Sequence, residues 1–237
     1  EKYAGMGRDL YETEPVFRDW MDRGLAILAP RLDYDPREVW LPAPGRDIGD
    51  TAFENTPILV GDKLILTKAL GVGVLSAAFK QERLDAAGYA TLIASTTKLN
   101  TVGRELADLP GVHAVTDVTG FGLLGHTLEM CRGAGLSAEI TGDPPLLPGV
   151  AALAQDGLRT GASGRNWTSY GSSVRLPDGF EDWRQDLLTD PQTSGGLLIA
   201  VAADQAEGVL DLVRSRGFAA ASVVGRLVEG PAQVRVN

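Results

Sequence analysis

The sequence predicts an α+β fold, a mixed β-sheet layered with helices, and three observations carry that expectation. From residue 58 onward, short apolar runs of strand length alternate with longer stretches of helical period. Two of those runs, 112–115 and 197–201, adjoin turns rich in glycine and small polar residues. Residues 1–57 differ in texture, with helical period at first and then proline, glycine and aspartate, so the chain divides at about residue 57.

In the first segment, Thr13 is expected to cap a helix carrying Glu14 and Pro15 in its first turn. Phe17, Trp20, Met21, Gly24, Leu25 and Leu28 then share one helical face. Asp35-Pro36-Arg37-Glu38 has the form of a capping box with proline at the first helical position, which marks a second helix. Residues 41–57 read as a linker. A helical pair without chemistry is the plain reading of this segment.

The second segment opens with the turn Gly61-Asp62-Lys63 and a buried strand at 64–67, followed by a helix over 69–79. Gly71 and Gly73 near its start suit either a phosphate or close helix packing. Leu92, Thr96, Leu99, Val102 and Leu106 recur at helical steps, so 86–106 is expected to be one helix. A strand over 112–117 runs into a helix over 121–132. Beyond lie a strand at 136–140, a helix at 149–158 and a polar loop at 161–170. The strand at 197–201, a helix at 204–216 and strands at 220–227 and 233–236 close the chain.

Composition narrows the function. The chain has 22 basic and 31 acidic residues, net −9, with no local concentration of positive charge visible along it, so no nucleic-acid partner is expected. Its single cysteine, Cys131, allows no internal disulfide and fits a reducing, cytoplasmic setting. No apolar run is long enough to span a bilayer as a helix, so no membrane partner is expected. The first residue is Glu1, and a fragment or processed product is the expectation.

The residues that could carry chemistry centre on Thr116-Asp117-Val118-Thr119-Gly120-Phe121-Gly122. Thr119, Gly120 and Gly122 would let backbone N–H groups close on an anion at a helix N-terminus. Asp117 has two readings, ligand to a hard cation such as Mg2+ or cap of the following helix. Asp190 before Pro191 reads as a turn former or a ligand, and the run Thr193 to Gly196 as a possible anion cradle. Cys131, on the helix after the motif, reads as a small buried hydrophobe. His113 and His126 lack the acidic spacing of a metal site.

Four blocks carry a resemblance to a known family. They are Gly61-Asp62-Lys63-Leu64-Ile65-Leu66-Thr67-Lys68 with Leu70-Gly71-Val72-Gly73, the stretch Thr116 to His126, the stretch Gly161 to Tyr170 with Arg165-Asn166, and Asp190-Pro191-Gln192-Thr193-Ser194-Gly195-Gly196-Leu197-Leu198. In this order the chain resembles the carboxyl-terminal domain of selenophosphate synthetase (selenide, water dikinase). Aminoimidazole ribonucleotide synthetase and thiamine monophosphate kinase share the architecture with looser versions of the blocks.

The resemblance implies conversion of ATP, selenide and water to selenophosphate, AMP and orthophosphate, with magnesium neutralising the phosphates. It implies that Asp117 is one of several magnesium-binding aspartates. The family's catalytic cysteine or selenocysteine, its lysine, the other aspartates and the nucleotide-binding glycines belong to an N-terminal half, and residues 1–57 do not match it. ATP and selenide are therefore expected to engage through that missing half, and the chain alone is expected to be inactive, with no catalytic residue of its own. A homodimer is also expected, with the helical face of residues 16–28 buried in it. The alternative is a non-catalytic binding or dimerisation module that retains the fold.

Overall fold

The structure, a computed structural model, describes residues 8–31, 35, 37, 41 and 58–237. The chain divides into two compact units, Glu1–Asn55 and Thr56–Asn237. In the first, α1 (Arg8–Thr13) precedes α2 (Pro15–Leu28), whose N-cap is Glu14 without a side-chain capping bond. Thr13 therefore ends one helix instead of capping the next, because Pro15, lacking an N–H, starts the new one. On the expected apolar face Leu25 is buried, Phe17 and Met21 are half-buried and Trp20 is exposed; the Leu28 side chain lies outside the described residues. So do the linker after Leu41 and most of the expected second helix, although the Arg37 amide does donate to Asp35 Oδ1 at 2.8 Å.

The second unit is built on a seven-stranded mixed sheet: β1 (Lys63–Leu66), β2 (Val112–Asp117), β3 (Ser137–Ile140), β4 (Val174–Arg175), β5 (Leu197–Val201), β6 (Ser222–Val228) and β7 (Val234–Val236). Their spatial order is β2-β5-β1-β6-β3-β7-β4, with β7 parallel to β3 and β4 and the other pairs antiparallel. The α+β reading holds.

Strand β5 shows why the core lies where it does. All five of its residues are buried because helices cover both sheet faces there. Leu198 and Ala200 face the cluster containing Leu124 and Leu128 of α6 (Gly122–Ala134), while Ile199 and Val201 face Val209 and Val213 of α10 (Ala206–Ser215). Each buried leucine or isoleucine contributes about 2 kcal/mol. A third cluster joins α3 (Val72–Lys80), α4 (Ala86–Thr97), α7 (Val150–Gln155) and α9 (Asp182–Leu188).

Two expectations change. The long helix over 86–106 is two helices, α4 and α5 (Gly103–Ala107), because the chain turns extended at Lys98. The carbonyls of Ser95 and Lys98 at that break accept the Lys68 ammonium at 3.3 and 2.7 Å. The polar loop at 161–170 is a helix, α8 (Gly161–Tyr170), capped by the Thr160 hydroxyl on the Ser163 amide. Its buried face is Ser163, Asn166 and Tyr170, at helical spacing but too polar to read as a core stripe.

The dispersed basic charge is also corrected. Lys63 lies opposite Arg226, Arg226 opposite Glu139, Glu139 opposite Arg235, and Arg235 opposite Arg175. Directly opposite residues share a sheet face. Four cations distant in sequence thus form one row across β1, β6, β3, β7 and β4.

Candidate functional site

The four sequence blocks meet at one end of the sheet. Among the described residues strand β2 is an edge strand, paired with β5 alone, and Asp117 ends it opposite Leu197. Because β5 follows the Asp190 to Gly196 loop directly, that pairing lays the two glycine-rich turns side by side. The Val118 amide donates to the Gly196 carbonyl at 2.8 Å, and the Gln192 amide to the Thr119 carbonyl at 3.0 Å.

Helix α8 holds the turn from the other side. Asn166 donates Nδ2 to the carbonyls of Gly120 and Thr189, each at 2.9 Å, and the Tyr170 hydroxyl donates to the Phe121 carbonyl at 2.5 Å. Desolvation pushes the Tyr170 hydroxyl well above its ordinary value, so it stays a donor. The carbonyls of residues 119–121 are therefore all engaged. Among the described residues the amides of Thr119, Gly120 and Phe121 have no acceptor, and Gly120 is exposed with open space around its Cα. The turn presents donors outward at the start of a thirteen-residue helix, an arrangement suited to an anion.

The expected site residues divide here. Thr119 and Gly120 keep free amides, whereas the Gly122 amide is spent on the Thr119 carbonyl at 3.1 Å. Gly122 sits at φ +70 with a Cβ position 2.6 Å from the Thr189 carbonyl carbon. Its part is to let the chain turn against α9. Asp117 is exposed and its carboxylate accepts no hydrogen bond among the described residues; the N-cap of α6 is Phe121, with no side-chain capping bond. Asp117 does not cap the helix.

Asp190, by contrast, is a cap, but of a helix 117 residues away. Its Oδ2 accepts the amides of Gly73 and Val74 at 2.9 and 3.3 Å, and Gln192 Oε1 accepts those of Gly71 and Val72 at 3.1 and 3.2 Å. Together they satisfy the first amides of α3, which its own N-cap, Gly71, cannot. A Cβ on Gly73 would collide with Asp190 Oδ1, so the close approach of this capping carboxylate, not of a neighbouring helix, accounts for that glycine. The Thr193 to Gly196 run is pinned too. Lys68 Nζ donates to the Ser194 carbonyl and Asn100 Nδ2 to the Gly195 carbonyl, at 2.7 and 2.8 Å. Among the described residues Lys68 has three carbonyl acceptors and no carboxylate, and burial and neighbouring Lys98 push its pKa down.

The histidines take supporting places. His126, buried in α6, contacts Glu129 Oε2 through Nδ1 at 2.8 Å and Thr119 Oγ1 through Nε2 at 3.3 Å. His113 Nδ1 lies 2.7 Å from Asp62 Oδ2. Cys131 is buried in the core, its thiol pushed up to about 11 by desolvation. A separate pocket of about 400 Å³ between α3, α4 and α7 is lined by Leu75, Leu84 and Leu153 and by no residue of the four blocks.

Residues 60–237 match the family described as AIR synthase related protein, C-terminal domain. The chain belongs to that family. Within the family the AIR synthase-related domain is 60% identical over 184 residues to the selenide, water dikinase of Burkholderia pseudomallei (strain K96243), covering 77% of this chain and 52% of that protein. It is 50% identical over 183 residues to the enzyme of the same name from Rhizobium meliloti (strain 1021), covering 77% and 52%. These relatives bear out the resemblance to selenophosphate synthetase. The chain spans about half the length of the curated relatives it matches.

Among solved structures, E. coli HypE superposes with TM-score 0.57 at 24% identity, covering 76% of this chain and 48% of that one. Thiamine-monophosphate kinase from Stenotrophomonas maltophilia K279a gives 0.52 at 18%, covering 76% and 51%. Those likenesses show the fold.

The AIR synthase-related domain fits a hard cation only in part. Asp117 offers an oxygen donor, but no group of three metal-binding side chains exists among the described residues. One carboxylate with phosphate oxygens and water completing the shell is a usual magnesium arrangement.

Sequence reading missed the residues that set this geometry. Asn166 and Tyr170 were hidden in an apparent loop, although the spacing of Ser163, Asn166 and Tyr170 marks one helix face. No local signal ties Asp190 to Gly73.

Proposed function

We propose that the chain is the C-terminal domain of a selenophosphate synthetase and contributes one wall of its ATP site. The carrying observation is the polarity of the 119–121 turn, with carbonyls engaged behind and amides and the Asp117 carboxylate unpartnered in front. On this reading the whole enzyme converts ATP, selenide and water to selenophosphate, AMP and orthophosphate. The amides of Thr119, Gly120 and Phe121 receive a phosphate, Gly122 sets their direction, and Asp117 supplies one magnesium ligand. Bound there, magnesium would neutralise phosphate charge during transfer. Asn166 and Tyr170 hold the amides in place before the substrate arrives, which lowers the ordering cost of binding.

The likeness to the selenide, water dikinases supports this reading, and their greater length supports a catalytic half preceding the domain. The chain alone is then inactive, and the cytoplasm and a homodimer are its proposed setting. The test joins the domain to the preceding half of its own protein and follows ATP, selenide and water by phosphorus NMR. Selenophosphate and AMP from the joined protein, with none from the domain alone, is the expected result. Turnover by the domain alone, or a joined protein indifferent to Asp117→Asn, would overturn it.

A second reading, a docking module without catalysis, rests on α2, where Val16 and Trp20 are 72% and 66% exposed. Self-association lost in Trp20→Ala, measured by sedimentation, would support it; a monomer would count against it.

A further inference from the structure

We infer that the sheet face carrying the row Lys63, Arg226, Glu139, Arg235 and Arg175, open among the described residues, is a docking surface for an acidic protein segment. This goes beyond the proposed reaction, since it uses none of the residues placed at the phosphate turn.

The row follows from strand register alone. Its five residues sit directly opposite one another on adjacent strands. At about 4.8 Å between strands the row is roughly 19 Å long. The same face is closed over β5 and part of β1 by α10, through Ile65, Ile199 and Val201. Among the described residues that cover stops past β1. The side chains of Arg226 and Arg235 are 55% and 46% exposed, Arg175 is exposed, and Val223 on this face is 44% exposed. Lys63, Thr141, Val223 and Arg226 line a shallow groove of about 400 Å³ beside the row.

The row is short of negative charge. Arg226 donates Nε and Nη2 to Glu139 Oε2 at 3.0 and 2.8 Å, and Arg235 stands 3.9 Å from the other oxygen of the same carboxylate. Lys63 and Arg175 have no acidic partner among the described residues; Arg175 reaches only the Ser172 carbonyl, at 3.5 Å. Two of the cross-strand pairs, Lys63 with Arg226 and Arg235 with Arg175, set like charges opposite each other. Such pairs work against folding. In a chain of net −9, a line of four cations is therefore a feature of binding, not of stability.

The chemistry selects carboxylates over a phosphate backbone. Glu139 already shows the arginine fork taking a carboxylate, and it interrupts the row where a nucleic-acid backbone would need continuous positive charge. A segment crossing the strands with acidic side chains on both sides of Glu139 would meet Lys63 and Arg226 at one end and Arg235 and Arg175 at the other.

The experiment uses the full chain, with fluorescence anisotropy of a labelled hexaglutamate peptide and of a short oligothymidylate as probes, without ATP, selenide or magnesium. The hexaglutamate is expected to bind, to weaken about tenfold in Arg175→Ala and further in Arg175→Ala/Arg235→Ala, and to weaken with added salt. Among the described residues Arg175 donates only to the Ser172 carbonyl, so its variant folds as the parent does, and circular dichroism checks this. No binding of the peptide, binding unchanged in both variants, or tighter binding of the oligothymidylate would overturn the inference. None of these results bears on selenophosphate synthesis, so the two proposals fail separately.

Discussion

The Asp190 carboxylate accepts the Gly73 amide at 2.9 Å, joining the loop before strand β5 to the first turn of α3 across 117 residues of sequence. One oxygen takes that amide, the Val74 amide and Gln192 Nε2, while Oδ1 has no partner among the described residues. Burial pushes the carboxyl up to about 7 from its ordinary 3.8, against donors that favour the charged form. The folded chain then holds this proton more tightly than the unfolded chain does. Between pH 4 and 7 the folded state binds more protons, so stability falls as pH rises through that window, by at most about 1.4 kcal/mol per pH unit. Urea midpoints at pH 5 and pH 8 should show the fall in the parent and a smaller one in Asp190→Asn. An equal fall in both would assign it to other groups.

Gly73→Ala should cost about 2 kcal/mol, because the added methyl meets the Asp190 carboxylate in a buried site. Thermal denaturation measures this. A variant as stable as the parent would show that the Asp190 loop can move aside freely.

Asn166→Ala leaves the Gly120 and Thr189 carbonyls without their shared donor and should cost about 2 kcal/mol. Amide exchange at residues 119–122 should accelerate more than exchange in β5. Uniform acceleration would mean that Asn166 serves the whole fold instead of this turn.

Asp117→Asn should change stability by less than about 0.5 kcal/mol, since the carboxylate is exposed and unpartnered. In the complete enzyme it should abolish magnesium-dependent selenophosphate formation. Normal magnesium dependence in the variant would remove Asp117 from the site.

Cys131 should resist thiol reagents at pH 8 in the folded chain and react on unfolding. Desolvation pushes its thiol to about 11, and Sγ is held against the Gln233 carbonyl at 3.6 Å. Fast modification of the native chain would place the cysteine nearer solvent than the fold does.

Much of the scaffold was legible in the sequence. The run that became β5 is contiguous and apolar, and the helix after the Asp117 turn ends at Gly135, where φ +66 favours glycine. What failed was reading polar burial: α8 buries Ser163, Asn166 and Tyr170 and so lacks the apolar stripe on which period analysis depends. The break between α4 and α5 failed for a related reason, since the freed carbonyls at the break are satisfied by Lys68, a residue of another element.

The sequence by itself determined the α+β layering and membership in the family, because these depend on residue patterns along the chain. The tertiary structure decided that Asp190 caps a distant helix, that Asp117 is exposed and without a partner among the described residues, and that Lys63, Arg175, Arg226 and Arg235 form a row. The reason is strand order: in a sheet ordered β2-β5-β1-β6-β3-β7-β4, spatial neighbours are set by backbone pairing, which no local pattern of residues encodes.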